Sequence, residues 1–180
     1  MLLDYLRYFS WYNEPQNVRF IEEGMEIETL PQTEFWQHGI FQQQDNGHFF
    51  YTKQNENFKL KVCWQAEDFS NFAQCGIMLR KDEKNWFKAA VAKLPNGKKV
   101  LCSSLTINGY SDWVEQGLTS NNQDFVFDLQ FRNNDCIVHF NTNTPVRMFH
   151  FKGEEIKAGA YICSPSKQYF QAKLTDMDLI

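Results

Sequence analysis

Gln74-Cys75-Gly76-Ile77-Met78-Leu79-Arg80, then Trp86-Phe87-Lys88-Ala89, then the turn Leu94-Pro95-Asn96-Gly97, then Ser103-Ser104-Leu105-Thr106 and Ser111-Asp112-Trp113: here apolar residues alternate with others, and turn residues interrupt at short intervals. That pattern predicts consecutive antiparallel strands. Alternation also sorts the side chains by face. Cys75, Ile77 and Leu79 point one way, and Gln74, Gly76, Met78 and Arg80 the other. In the next strand Phe87, Ala89 and Val91 oppose Trp86, Lys88 and Ala90. One face is core. The other carries Arg80, Trp86 and Lys88 side by side, an uncommon mixture for a plainly solvated surface.

Outward from this stretch the same signals repeat. Phe58, Leu60, Val62 and Trp64 alternate with Lys59 and Lys61, a strand with one buried and one wet face. Strands are also expected at Val18–Ile21, Met25–Glu28, His48–Tyr51, Phe125–Arg132, Cys136–Phe140, Arg147–Phe151, Ala158–Ser164 and Gln168–Asp178. Residues 1–12 read either as a short amphipathic helix on Leu2, Leu3, Leu6 and Phe9 or as a strand leading into Trp11-Tyr12. Asn96-Gly97 and Asn108-Gly109 suit tight hairpin turns because both residue types tolerate positive φ. Residues 116–123 and Asn141–Pro145 read as loop and turn. About a dozen short strands with hairpin spacing predict an all-β chain: two antiparallel sheets face to face, a β-sandwich or jelly roll, in one domain over residues 1–180.

A chain of 180 residues buries about 70% of its unfolded surface and needs no staples. Its net charge of -4 argues against a nucleic-acid partner, which needs a basic stripe. Lys93, Lys98 and Lys99 flank a hairpin turn and read as solvated charges. The five cysteines, Cys63, Cys75, Cys102, Cys136 and Cys163, contain no Cys-x-x-Cys pair. They read as free thiols in a reducing compartment rather than as a zinc site or a disulfide framework. Charges interrupt the N-terminus where a signal peptide needs an apolar run, and no long apolar stretch occurs. A cytoplasmic protein without membrane contact is expected.

The residues that stand out match a known pattern: Trp11-x-Asn13-Glu14-Pro15, Phe35-Trp36, Gly47-His48-Phe49-Phe50, Gln74-x-Gly76-Ile77-Met78-Leu79-Arg80, Trp86-x-Lys88-Ala89, Ser111-Asp112-Trp113, Arg132 and Ser164-Pro165. Through nearly its whole length the chain resembles a domain-of-unknown-function family of concanavalin A-like lectin/glucanase sandwiches, which includes a fungal regulation-of-enolase protein. The resemblance implies that fold and supplies no activity. Two departures stand out. Ala73 and Ala92 occupy positions where the family has acidic residues, and Ala92 shares a face with Trp86 and Lys88. A role that those acids carry in other members is not expected here.

The chemistry is thin. Glucanases of this sandwich class carry Glu-x-Asp-x-x-Glu on one strand, and that string is absent. Asp82-Glu83 and Glu154-Glu155 sit in polar turns and point apart. No Gly-x-Ser-x-Gly elbow, His-Glu-x-x-His pair or Gly-rich phosphate loop occurs. Catalysis, metals and cofactors are therefore not expected. Tryptophan faces stack on sugars and cations, and neighbouring polar groups bond hydroxyls. The expected ligand face comprises Gln74, Arg80, Trp86, Lys88, Asp112 and Trp113, with His48 and Trp36 beside it on the resemblance. An Arg80–Asp112 ion pair is expected on it. Against this stands the plainer reading that the rings cap the core and His48 is a hydrogen-bonded packing residue. The expected partner is a carbohydrate-like or other polar small ligand. A protein partner, in a regulatory role on a metabolic enzyme, is the alternative, followed by an enzyme acting on sugars through a non-glucanase site.

Overall fold

Alternation is what builds this molecule. In Phe58–Gln65 every second side chain is buried and the intervening ones are wet or half-buried, and the same rhythm recurs in Asp124–Arg132. The structure, a computed structural model, describes residues 6–118 and 121–180. Strands run in chain order as β1 (Ser10–Tyr12), β2 (Asn17–Ile21), β3 (Gly24–Glu28), β4 (Phe35–Trp36), β5 (Gln44–Asp45) and β6 (His48–Gln54). Next come β7 (Phe58–Gln65), β8 (Gln74–Asp82), β9 (Asn85–Lys93), β10 (Lys99–Ile107), β11 (Tyr110–Ser111) and β12 (Val114–Gly117). The last are β13 (Asp124–Arg132), β14 (Asp135–Phe140), β15 (Thr144–His150), β16 (Ile156–Cys163) and β17 (Gln171–Leu179).

These strands make the expected two-sheet antiparallel β-sandwich. One sheet has the order β1-β6-β16-β8-β9-β10-β11, with β12 also paired to β10. The other has the order β15-β14-β13-β7-β17-β3-β2. Strands β4 and β5 form a separate hairpin. The two inner faces meet in an aromatic core that includes Phe58, Trp64, Phe87, Phe125, Phe127 and Phe170. From β7 the Trp64 indole crosses the core and donates to the Gly76 carbonyl on β8 at 2.9 Å, so its polar edge is satisfied while its rings are buried. Gly76 has no substitute at that place. A Cβ there would stand 1.8 Å from the Ala89 carbonyl oxygen of β9.

Several boundaries differ from the sequence reading. Strand β12 enters the expected 116–123 loop; its side chains are all exposed, so no alternation marked it. Residues 119–120 of that loop lie outside the described residues. Strand β15 begins at Thr144 and accommodates Pro145. It lies at a sheet edge, where a missing N–H costs no ladder bond. Of the two readings of residues 1–12, a strand is observed at Ser10–Tyr12 and Leu6 ahead of it is helical, while residues 1–5, with Leu2 and Leu3, lie outside the described residues. All five cysteines are free, and burial pushes the Cys102 thiol up to about 12. Among the described residues no helix is long and apolar enough to cross a membrane.

The sheet containing β8 and β9 is buried on both sides. Its outer face carries a second cluster of Phe49, Met78, Trp86, Ala90, Cys102 and Tyr161, and Phe35 of the β4–β5 hairpin completes it. The hairpin and its flanks thus lie over the face that the sequence assigned to a ligand.

Candidate ligand-binding site

Gln74, Arg80, Trp86 and Lys88 do share one face, since β8 and β9 pair with Met78 opposite Lys88 and Arg80 opposite Trp86. What lies on that face is the chain itself. Lys88 is 1% exposed and its ammonium donates to Glu34 Oε1 and, at 3.2 Å, to Gln74 Oε1. Glu34 Oε2 accepts from Gln74 Nε2 at 2.8 Å, and Oε1 also accepts from the Phe35 N–H at 2.8 Å. The Tyr161 hydroxyl donates to Gln74 Oε1 at 2.9 Å. Burial drives that phenol well above its ordinary pKa, so it stays a donor. The ammonium lies 5.6, 5.7 and 6.0 Å from the ring centroids of Trp86, Tyr161 and Trp113, within cation–π range.

A second carboxylate does the same for Arg80. Its two terminal nitrogens donate to Asp45 Oδ1 and Oδ2 at 2.6 and 2.9 Å. Its guanidinium lies 4.3 Å from the Tyr12 ring centroid and 5.7 Å from that of Phe35. Tyr12 donates its hydroxyl to Asp45 at 2.5 Å, and burial, helped by that bond, pushes its pKa up to about 12. The expected Arg80–Asp112 pair is therefore corrected. Asp112 instead receives both terminal nitrogens of Arg147 from β15, at 2.9 and 2.5 Å. Burial alone would raise the Asp112 pKa; the bonds from Arg147 and from the Leu105 N–H outweigh it and hold the carboxyl below its usual range.

The other signature residues clasp the same hairpin. Asn13 donates its amide to the carbonyls of Asp45 and Gly47, both at 2.9 Å. A Cβ on Gly47 would stand 2.4 Å from the Phe35 ring. Ser111 Oγ accepts from the Gln37 N–H at 3.0 Å. His48 is buried, with Nε2 accepting from the Leu30 N–H at 3.1 Å and Nδ1 2.8 Å from the Asn13 carbonyl. That arrangement places the proton on Nδ1, and burial lowers the ring's pKa below its ordinary value. His48 is thus the packing histidine of the plainer reading, and it does not line the cleft described next. Trp86 is fully buried, and its N–H donates to the Glu83 carbonyl at 3.1 Å. No ligand ring can reach it.

A cleft of about 450 Å³ remains open beside this network. Trp36, Phe41 and Trp113 form its walls, Glu34 and Gln74 its base, and Glu115 part of its rim. The Trp36 and Trp113 centroids are 6.4 Å apart at 55°, and Phe41 stands edge-on to Trp36 at 5.2 Å. The Trp113 N–H donates to Glu115 at 3.1 Å, which fixes the plane of that indole. Among the described residues, Trp36 Nε1, both side-chain amide atoms of Gln37 and Arg80 Nε are buried without a partner. Hollows of about 760 and 620 Å³ lie elsewhere, but they are more open and lie away from the network. Of the expected ligand residues, the structure brings Gln74, Trp36 and Trp113 to one cleft. It leaves Arg80, Trp86, Lys88 and His48 beneath the hairpin and Asp112 on the outside. Sequence reasoning missed Glu34, Asp45, Phe41 and Glu115. Thr33-Glu34-Phe35-Trp36 held a signal, a lone acid between apolar neighbours, whereas Asp45 reads as an ordinary Asp-Asn-Gly turn residue.

A family profile described as "Protein of unknown function (DUF1349)" matches residues 11–179. Regulation of enolase protein 1 from Saccharomyces cerevisiae is 36% identical over 118 residues, which are 64% of this chain and 58% of that protein. The match thus spans less than two thirds of that relative's length. A crystal structure of a functionally unknown protein from Saccharomyces cerevisiae superposes with a TM-score of 0.89 at 26% identity, covering 97% of both chains. Carbohydrate binding module CBM66 from Bacillus subtilis superposes with a TM-score of 0.62 at 13% identity, covering 96% of this chain and 94% of that one. The last likeness is one of fold alone.

Two outcomes follow from the clasp. Glu34→Ala leaves the Lys88 ammonium buried without its counter-ion and is expected to cost about 3–5 kcal/mol. Glu34→Ala combined with Lys88→Met is expected to cost less than Glu34→Ala alone, because no uncompensated charge remains. Urea unfolding midpoints measure both, and strictly additive losses would refute the pairing. His48 binds a proton less readily when folded than when unfolded, so its contribution is full above about pH 6.5 and fades as pH falls. His48→Gln is expected to flatten part of the loss of stability between about pH 7 and pH 5; an unchanged slope would count against the buried neutral ring.

Proposed function

The chain belongs to the DUF1349 family, and we propose that it is a non-catalytic module that binds a carbohydrate-like or other polar small ligand in the cleft between Trp36 and Trp113. The observation that carries this reading is two indoles facing one cleft over a base of buried hydrogen-bonding groups. Aromatic faces suit the apolar faces of a pyranose, and Glu115, with the remaining acceptor capacity of Glu34 Oε2, suits its hydroxyls. The likeness in fold to a carbohydrate binding module supports it. Both oxygens of Glu34 are already engaged by Lys88, Gln74 and the Phe35 N–H. A carboxylate so held is poorly placed to pass protons, which supports binding rather than hydrolysis. Five free thiols support a reducing compartment, the cytoplasm.

A panel of neutral, amino and acidic sugars is expected to include one that changes tryptophan fluorescence saturably. Trp113→Ala is expected to abolish that change while the protein still melts cooperatively. A panel on which nothing perturbs the indoles defeats the reading.

A second reading is favoured by the relative named for regulating enolase. In it, the chain acts on a metabolic enzyme through the apolar loop tip at Ile40 and Phe41, which are 91% and 59% exposed. Calorimetric titration into purified enolase is expected, on this reading, to give a saturable heat that Ile40→Asp removes. The absence of such heat in the unmodified protein would retire it.

A further inference from the structure

Resting on the cleft reading, the geometry points to a ligand that carries a positive charge: a protonated amine or a quaternary ammonium on a small hydroxylated or apolar body. Were Arg80 and Lys88 open on that face, they would suit an acidic or hydroxylated group. In the structure neither cation is available. Arg80 is 3% exposed and holds Asp45 through both terminal nitrogens. Lys88 is 1% exposed and lies behind Glu34 and Gln74. Among the described residues, the groups that line the cleft include Glu34 and Glu115, and no lysine, arginine or histidine.

The aromatic walls add to this charge rather than dilute it. Trp36, Phe41, Phe72 and Trp113 all contribute to the lining. The negative face of an aromatic ring attracts a cation within about 6 Å of its centroid, most strongly for tryptophan. Lys88 shows the same chemistry a few ångströms deeper, an ammonium among Trp86, Tyr161 and Trp113 with a carboxylate beside it. Glu115 accepts only from the Trp113 indole among the described residues, so its charge has no cationic partner there. An acidic ligand would meet the uncompensated charge of Glu115 and a Glu34 carboxylate already paired with Lys88, with no free donor of opposite charge. A neutral sugar finds the stacking walls without the electrostatic gain.

The test is a matched series on the intact protein: glucose, glucosamine held protonated, glucuronate, and tetramethylammonium, whose charge no pH removes. Tryptophan fluorescence and calorimetry read the affinities. Glucosamine is expected to bind roughly tenfold more tightly than glucose, and glucuronate more weakly than either. Tetramethylammonium is expected to compete with glucosamine. Glu115→Gln keeps an acceptor for the Trp113 N–H and removes the charge, so it is expected to bring glucosamine and glucose to near parity. Trp113→Phe serves as the second variant, retaining an apolar wall while weakening the cation's hold severalfold. Equal affinity for glucose and glucosamine, or a preference for glucuronate, overturns the charge inference and leaves the cleft as a sugar site if Trp113→Ala still abolishes binding. Cation binding that neither Glu115→Gln nor Trp113→Phe alters also overturns it. Silence from all four probes overturns the inference and the cleft reading together.

Discussion

Glu34 and Lys88 meet beneath the β4–β5 hairpin, and the outer half of this molecule depends on that meeting. A lysine ammonium 1% exposed is untenable alone. It is tolerated because Glu34 neutralises it, Gln74 accepts from it and three aromatic rings surround it. Each of those partners is in turn fixed by another bond, so the network has little freedom to rearrange. That is the circumstance in which a buried polar cluster specifies one arrangement rather than loosening the core.

The pair also determines where the hairpin lies. Glu34 and Asp45 sit at its two ends and engage Lys88 of β9 and Arg80 of β8. Two charged contacts on neighbouring strands set both position and angle, and Phe35 fills the space between them against Trp86 and Tyr161. Trp36, next in sequence, must then point to the other side, where it faces Trp113 and Phe41. The cleft therefore follows from the clasp. Its aromatic walls are held in place by Lys88, Arg80 and Asp45, which do not line the cleft.

This division of labour explains why so many standout residues turn out to be structural. Asn13, Gly47, His48, Gln74, Arg80, Lys88 and Ser111 all bond or pack against the hairpin or its flanks. Charged and aromatic residues on one sheet face look like a binding surface, and they are one, but the occupant comes from the same chain. Ala92, one of the two departures from the family pattern, is packed into this outer cluster beside the partners of Glu34. A carboxylate there would add a second negative charge to a network already neutralised by Glu34.

By itself the sequence determined the strands, their faces and the sandwich, because period-two alternation and turn chemistry are local properties that each strand carries in its own residues. It also placed Gln74, Arg80, Trp86 and Lys88 on one face for the same reason. It did not determine what covers that face. Glu34 lies 54 residues from Lys88 and Asp45 lies 35 from Arg80. No periodicity links residues so far apart in the chain; only the stacking of the hairpin on the sheet brings them together. Tertiary structure alone therefore decided that the two cations are neutralised inside the protein and that the open cleft presents carboxylates and indoles.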